Sequence, residues 1–185
     1  MIIDRKADGY KNGIFTWFIG EVEDINDTEN LNRVKVRCFG YYDNPEIKKE
    51  HLPWATVMMP TTSASLKGNG ANHHLEVGSW VVGFFRDGPS AQDPIVMGSI
   101  ATQTDGTQDI PSNSSTTNKV HHTKAGHKIE FENKEGEERI TVQHAKGAVI
   151  MIDNENNITI ANSGTTTLAS SGQITISSAV KTKII

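Results

Sequence analysis

The residues of this 185-residue sequence with the chemistry for catalysis or metal binding are few and poorly grouped. Two histidine pairs, His73-His74 and His121-His122, offer imidazole ligands for a transition metal. Adjacent side chains in an extended segment point to opposite faces, so neither pair converges on one ion. No CxxC or HExxH spacing accompanies them, and they read as exposed loop and linker histidines. Glu135, Glu137 and Glu138 around Gly136 could supply an acid/base pair, but the cluster reads as a solvated acidic turn. Cys38 ends an alternating run, RVKVRCFG, which fits a packed, inert thiol better than a nucleophile. No Ser-His-Asp arrangement and no GxxxxGK[ST] phosphate loop is legible. The expectation is a protein with no catalytic residue, no cofactor and no resident metal: not an enzyme.

What the chain repeats is apolar. Ile150 and Ile152 are followed at eight-residue intervals by Ile158 and Ile160, Thr166 and Leu168, Ile174 and Ile176, and Thr182 and Ile184. The intervening Met151, Thr159, Thr167, Thr175 and Lys183 are mostly polar or β-branched. This is strand alternation, in which each pair shares an inward face and the middle residue faces water. Gly164 and Gly172, beside Asn162, Ser163, Ser170 and Ser171, supply turn chemistry between the short strands. Looser copies, Ile129/Phe131 and Ile140/Val142, precede the octads at spacings of eleven and then ten. A fixed short repeat signals stacked units, none able to bury its apolar face alone. At roughly 3.3 Å per residue, an octad is one wall and cannot curl around its own core. Three chains wound together would enclose a dry interior, with Ile150, Ile152, Ile158, Ile160, Thr166, Leu168, Ile174 and Ile176 as the trimer core. An antiparallel meander packed on the rest of the chain would show the same local pattern. The trimer is preferred because no sheet or helix of matching length appears elsewhere.

Composition narrows the class. A net charge of −4 argues against a nucleic-acid groove or an anionic membrane surface. One cysteine excludes an intrachain disulfide framework and fits a reducing compartment. The opening MIIDRKADGY lacks the apolar core of a signal peptide. No apolar run approaches the roughly 20 residues of a membrane helix. The expectation is a soluble, β-rich chain.

Five alternating or apolar segments precede the repeat, at 17–24 (WFIGEVED), 33–40 (RVKVRCFG), 55–59, 77–86 and 94–100. Turn-rich stretches separate them, and residues 63–74 read as an irregular loop. Five strands without helical periodicity suggest a small closed barrel of the OB type. Residues 101–119, rich in Thr, Ser, Gln, Asn, Asp and Gly, read as a flexible linker. The predicted architecture is all-β: an arm at 1–14, a barrel at 15–100, a linker at 101–119 and a β-helical needle at 120–185.

In that order, WFIGEVED, NRVKVRCFG, LPWATVMMPTTSAS, VGSWVVGFF and DPIVMGSI resemble the N-terminal OB domain of contractile-tail spike proteins. The family includes the cell-puncturing spike of T-even-like phages and the matching region of the VgrG proteins of type VI secretion. HTKAGHKIEFENKEGEERITVQHAKG is similar to the family's lead into its needle. The resemblance implies a homotrimeric structural spike in a tail baseplate, assembled in the host bacterial cytoplasm and carried in the virion. Its mechanical target is the bacterial outer membrane. The T-even-like spike has a lysozyme domain between barrel and needle, whereas this chain has only residues 101–119 there, too few for a glycosidase cleft. The hub domain of VgrG proteins has no counterpart in the short stretch before the barrel, so the resemblance implies a separate hub protein. It also implies a PAAR-like tip protein on the needle end formed by Thr182, Lys183, Ile184 and Ile185. The alternative is an OB module for an oligonucleotide or oligosaccharide, with the repeat as a trimerisation tail. Acidity and 6% aromatic content weigh against a basic, stacking groove for single strands.

Overall fold

Alternation of small and branched apolar residues in the first hundred positions closes into a barrel. The computed structural model describes residues 14–177. Its first strands are β1 (Thr16–Asp24), β2 (Arg33–Cys38), β3 (Trp54–Val57), β4 (Trp80–Phe85) and β5 (Pro94–Ile100). They form a closed barrel in the order β1-β2-β3-β5-β4, with β3 and β5 parallel and the other pairs antiparallel. Every second side chain points inward, so Phe18, Val22, Val34, Val36, Cys38, Ala55, Val81, Phe85 and Val96 fill one core. Closure requires a residue without a side chain at Gly83. A Cβ there would lie 2.1 Å from the Ile95 carbonyl oxygen and 2.5 Å from Phe18 Cζ.

The turn between β1 and β2 is organised by the buried Asp27 carboxylate. It accepts from the backbone N–H groups of Glu29, Leu31 and Arg33 at 3.1, 2.9 and 3.2 Å. Arg33 adds Nε at 3.0 Å and Nη2 at 2.6 Å. Hydrogen bonding from the Arg33 side chain holds this carboxyl well below the usual carboxylate range against the opposing effect of burial. Arg37 clasps Glu23 and also donates to the Tyr42 and Ile47 carbonyls, tying down the charged loop after β2. The Cys38 thiol is buried in the core, which pushes it up to about 12.

The chain divides into two compact units between Ile110 and Pro111. In the first, the segment read as a linker carries a small hairpin, β6 (Gln103–Thr104) with β7 (Thr107–Gln108). Asp109 closes it by accepting from the Thr102 backbone N–H at 3.0 Å. The second unit is a sheet of β8 (Asn118–His122), β9 (Lys128–Glu132), β10 (Arg139–Gln143), β11 (Val149–Ile152) and β12 (Ile158–Ala161). All neighbours are antiparallel, so this part of the chain is a five-stranded meander. The first two octads, expected as walls of an intertwined helix, therefore pair with each other as β11 and β12 within one chain. From 162 to 177 no strand forms, although Thr166, Leu168, Ile174 and Ile176 keep their spacing. A strand exists only where another backbone completes its ladder, and the described residues supply none here.

Candidate oligomer interface

Antiparallel register sets the apolar residues of the second unit in two straight rows. Phe131, Ile140, Ile152 and Ile158 stand opposite one another across β9, β10, β11 and β12. Ile129, Val142, Ile150 and Ile160 form the second row. Directly paired residues share a face, so these eight side chains line one side of the sheet. Within a single chain that side is exposed, from 37% at Ile152 to 71% at Ile158. Contiguous apolar faces of this kind occur at protein, membrane and ligand contacts.

The opposite side has the reverse character. Val120, Glu130, Thr141, Met151 and Thr159 form a row there. Glu130 is only 1% exposed. Its Oε1 accepts from Arg139 Nη2 at 2.6 Å, and its Oε2 accepts from Lys128 Nζ at 2.7 Å and Asn113 Nδ2 at 2.8 Å. Burial pushes this carboxyl up, but Lys128 and Arg139 outweigh it and hold it below its ordinary value. Ile150, Ile152, Ile158 and Ile160 share one face, and Met151 and Thr159 share the other. Asn113 reaches back over Glu130 on that second face, while Thr159 is exposed and no described residue covers the isoleucines.

After β12 the turns change while the spacing does not. Asp153 staples the turn from β11 to β12 by accepting from the Glu155 and Asn157 N–H groups, and Asn156 takes φ 65°. One octad later, Gly164 stands where Asn156 stood, without the left-handed backbone. There Asn162 Oδ1 accepts from the Gly164 N–H at 2.8 Å, and Ser170 Oγ accepts from the Gly172 N–H at 3.0 Å. The same side-chain-to-backbone bend recurs eight residues apart, and the flanking segments are exposed and outside any strand. Thr182, Lys183, Ile184 and Ile185, read as the tip-binding end, lie outside the described residues.

The other singled-out residues do not converge. His73 and His74 lie on the loop between β3 and β4, and His121 and His122 lie on β8. No group of three or more histidine, cysteine, aspartate or glutamate side chains is placed to hold a metal among the described residues. Glu135, Glu137 and Glu138 are exposed, and Glu137 pairs with Lys134. An aromatic patch on the outer barrel wall was not anticipated. Trp17, Ile19 and Phe84 face outward there, and Phe39 packs edge-on against Trp80 at 5.2 Å. Ile14, Phe15, Trp17, Ile19, Phe39 and Tyr41 line an open groove of about 540 Å³ beside it. The alternate positions 17, 19 and 80, 82, 84 were the available signal, because both of their strands also bury the intervening residues.

The barrel order, with its parallel β3–β5 contact, is that of an OB fold. The family model described as the Gp5 N-terminal OB domain matches residues 41–173, which takes in the later barrel strands and the meander. The chain belongs to the Gp5 N-terminal OB domain family. Among curated proteins it is similar to protein Gp5 of Vibrio phage KVP40, at 37% identity over 91 residues, or 45% of this chain and 21% of that protein. It is also similar to the pre-baseplate central spike protein Gp5 of Enterobacteria phage T4, at 40% identity over 79 residues, or 38% of this chain and 14% of that protein. These matches span only 21% and 14% of the lengths of the two Gp5 proteins.

Proposed function

We propose that this chain is a non-enzymatic structural spike component of a contractile-tail baseplate, assembled as a homotrimer and acting mechanically on the bacterial envelope. The observation that carries the reading is the exposed double row of apolar side chains on β9 to β12, continued by unpaired octads. Three copies would turn these faces toward a shared axis. The backbones of 162–177, left without ladders in one chain, would find partners on neighbouring copies as a β-helical needle. Continuous ladders of this kind resist compression, and a narrow shaft concentrates force on a small area. The name of the phage T4 relative, a pre-baseplate central spike protein, supports this setting. In this reading the barrel spans 15–100, residues 101–119 connect it to a needle at 120–185, and a separate hub protein holds the barrel end. The chain works in the virion after assembly in the host cytoplasm.

Mass in solution tests the proposal. Light scattering on the purified chain should give three times the chain mass at micromolar concentration, and a monomer would overturn it. A second reading, an OB module that binds an oligosaccharide or oligonucleotide, is favoured by the exposed Trp17, Phe39 and Trp80. Stacking platforms of this type hold sugars and bases. Quenching of tryptophan fluorescence by a glycan or single strand, lost in Trp17→Ala, would support it over the spike.

A further inference from the structure

The loop between β3 and β4 carries a two-residue turn whose chemistry neither reading above uses. The Asn69 N–H donates to the Leu66 carbonyl at 2.9 Å, and the Leu66 N–H donates to the Asn69 carbonyl at 3.2 Å. Lys67 and Gly68 between them take φ 49° and 81°, the two positive values that a type I′ turn requires. Gly70 follows at φ 140°, a conformation that residues with a side chain rarely adopt. A Cβ on it would also lie 2.5 Å from Ser63 Oγ and 3.0 Å from the Ser65 backbone nitrogen. Ser63 Oγ clamps the loop beside it, accepting from the Ala71 N–H at 2.9 Å and donating to the Ala71 carbonyl at 3.2 Å. The loop therefore demands glycine at position 70 for conformational reasons of its own.

That glycine leaves the Asn69 carboxamide open to attack from the main chain. The amide nitrogen after an asparagine can close a five-membered ring on the side-chain Cγ, and a side chain on the attacking residue hinders the approach. Gly70 has none. Its N–H donates to no acceptor among the described residues, and Asn69 and Gly70 are both exposed to water. The Asn69 carboxamide is held only through Nδ2, which donates to the Leu66 carbonyl at 3.3 Å. Other asparagines are placed differently. Among the described residues none but Asn69 precedes a glycine. Asn113 precedes Ser114, whose N–H is engaged by the Pro111 carbonyl at 2.8 Å. Asn162 is pinned through Oδ1 by the Gly164 N–H.

We propose that Asn69 is a site of spontaneous covalent modification, at which the Gly70 nitrogen displaces ammonia from the side chain and water opens the resulting ring. The Gly70 nitrogen gives its proton to solvent and bonds to Cγ. The Cγ–Nδ2 bond breaks, and Nδ2 leaves as ammonia with a proton from water. Hydrolysis of the new bond to Cγ gives an aspartyl product, and hydrolysis of the bond to the Asn69 carbonyl carbon gives an isoaspartyl product. The isoaspartyl chain runs through Cβ, which lengthens the main chain by one atom between the turn and the Ser63–Ala71 clamp. Either product adds one negative charge to the loop. Tandem mass spectrometry of the full chain after incubation at mildly alkaline pH tests this. The tryptic peptide 68–86 should gain one mass unit, localised by fragmentation to residue 69, and should separate into two products of equal mass. Because the attacking N–H is already exposed and needs no opening of the fold, the folded rate should lie within about three-fold of the rate in urea. A greater slowing on folding means that the loop protects the site, and it overturns the proposal. So do an unchanged Asn69, a gain confined to Asn72, or an aspartyl product alone, which would signal direct hydrolysis. Asn69→Gln, whose longer side chain disfavours the ring, should show no gain at residue 69, and a gain there overturns the route. The wild-type measurement decides even if the variant misfolds.

Discussion

The two units of this chain use the same element to opposite ends. In the barrel, a sheet closes on itself, and Val22, Val81 and Cys38 are fully buried by residues of the same chain. In the meander, a sheet of equal strand number stays open, and Ile158 and Ile160 remain 71% and 62% exposed. Both units alternate apolar and polar positions, so alternation alone does not separate them. Closure does: β1 pairs with β4 to complete the barrel, whereas β8 and β12 end an open sheet among the described residues. The β1 and β4 strands run nine and six residues and pair over six positions, long enough to coil around a core with Gly83 at a tight contact. The β11 and β12 strands run four residues each and are joined by the turn that Asp153 staples, and β12 has no further strand beside it among the described residues. The barrel thus covers its own apolar face, whereas the described residues leave the isoleucine face of the meander uncovered.

The comparison breaks most sharply at Ile160. In a trimer, Ile160→Asp places a carboxylate from each copy in one dry interior, at a cost of several kcal/mol per buried charge. The expected outcome is loss of the trimer by light scattering while the barrel keeps its own unfolding transition. A variant that stays trimeric would show that the two apolar rows are not the interface.

Within the barrel the largest effect is expected at Gly83. The added methyl of Gly83→Ala meets backbone at 2.1 Å, which a side-chain shift cannot relieve, so the loss should be about 3 kcal/mol or more. Gly98 is the control on the neighbouring strand. A Cβ there meets nothing within 4 Å, and Gly98→Ala should stay within about 0.5 kcal/mol. Denaturant midpoints followed by tryptophan fluorescence separate the two, and oligomeric mass should change in neither. Equal effects at both glycines would contradict the closed geometry.

Asp27→Asn keeps the shape of the β1–β2 turn and removes its charge, with an expected loss of about 2 kcal/mol for hydrogen bonds to a charged group. Its pH dependence has a definite sign. Because Arg33 lowers the folded carboxyl below its unfolded value, the stabilisation is present above roughly pH 4, the unfolded aspartate range. It is lost as pH falls from there through the folded value. Wild type and variant should therefore differ at pH 7 and converge in strong acid. A constant difference across that range would assign the effect to packing.

Much of the barrel was legible because one face of each strand is decided within the strand. The readings 17–24 and 33–40 fall within a residue or two of β1 and β2, since Phe18, Val22, Val34 and Val36 mark the inner face unaided. What escaped depends on partners that the spacing does not bring together. Glu130 looks like a solvated glutamate in KIEFE until the hairpin delivers Arg139 and the chain brings Asn113 over it. Asp27 looks like an ordinary turn aspartate until Arg33 folds back onto it. The octads were legible as a repeat, and their neighbours were not. Ile150 and Ile160 pair within the chain, while Leu168 and Ile176 have no ladder there, although the period is the same. Periodicity reports which side chains share a face, not whose backbone lies alongside.

The smallest expected effect tests that last distinction from the other side. Thr159 is one position from Ile160, on the row of Met151, Thr141 and Glu130. Both residues are exposed in the single chain, so exposure cannot tell the two faces apart. A charge can. If only the isoleucine face is enclosed on assembly, Thr159→Asp keeps its carboxylate in water and costs no more than the poor strand propensity of aspartate, under about 1 kcal/mol. The trimer mass should be unchanged and the melting transition of the second unit nearly so. If Thr159→Asp dissociated the assembly as Ile160→Asp is expected to, both faces would be enclosed. The meander would then be an inner layer of a larger sandwich and not the wall of a three-sided shaft.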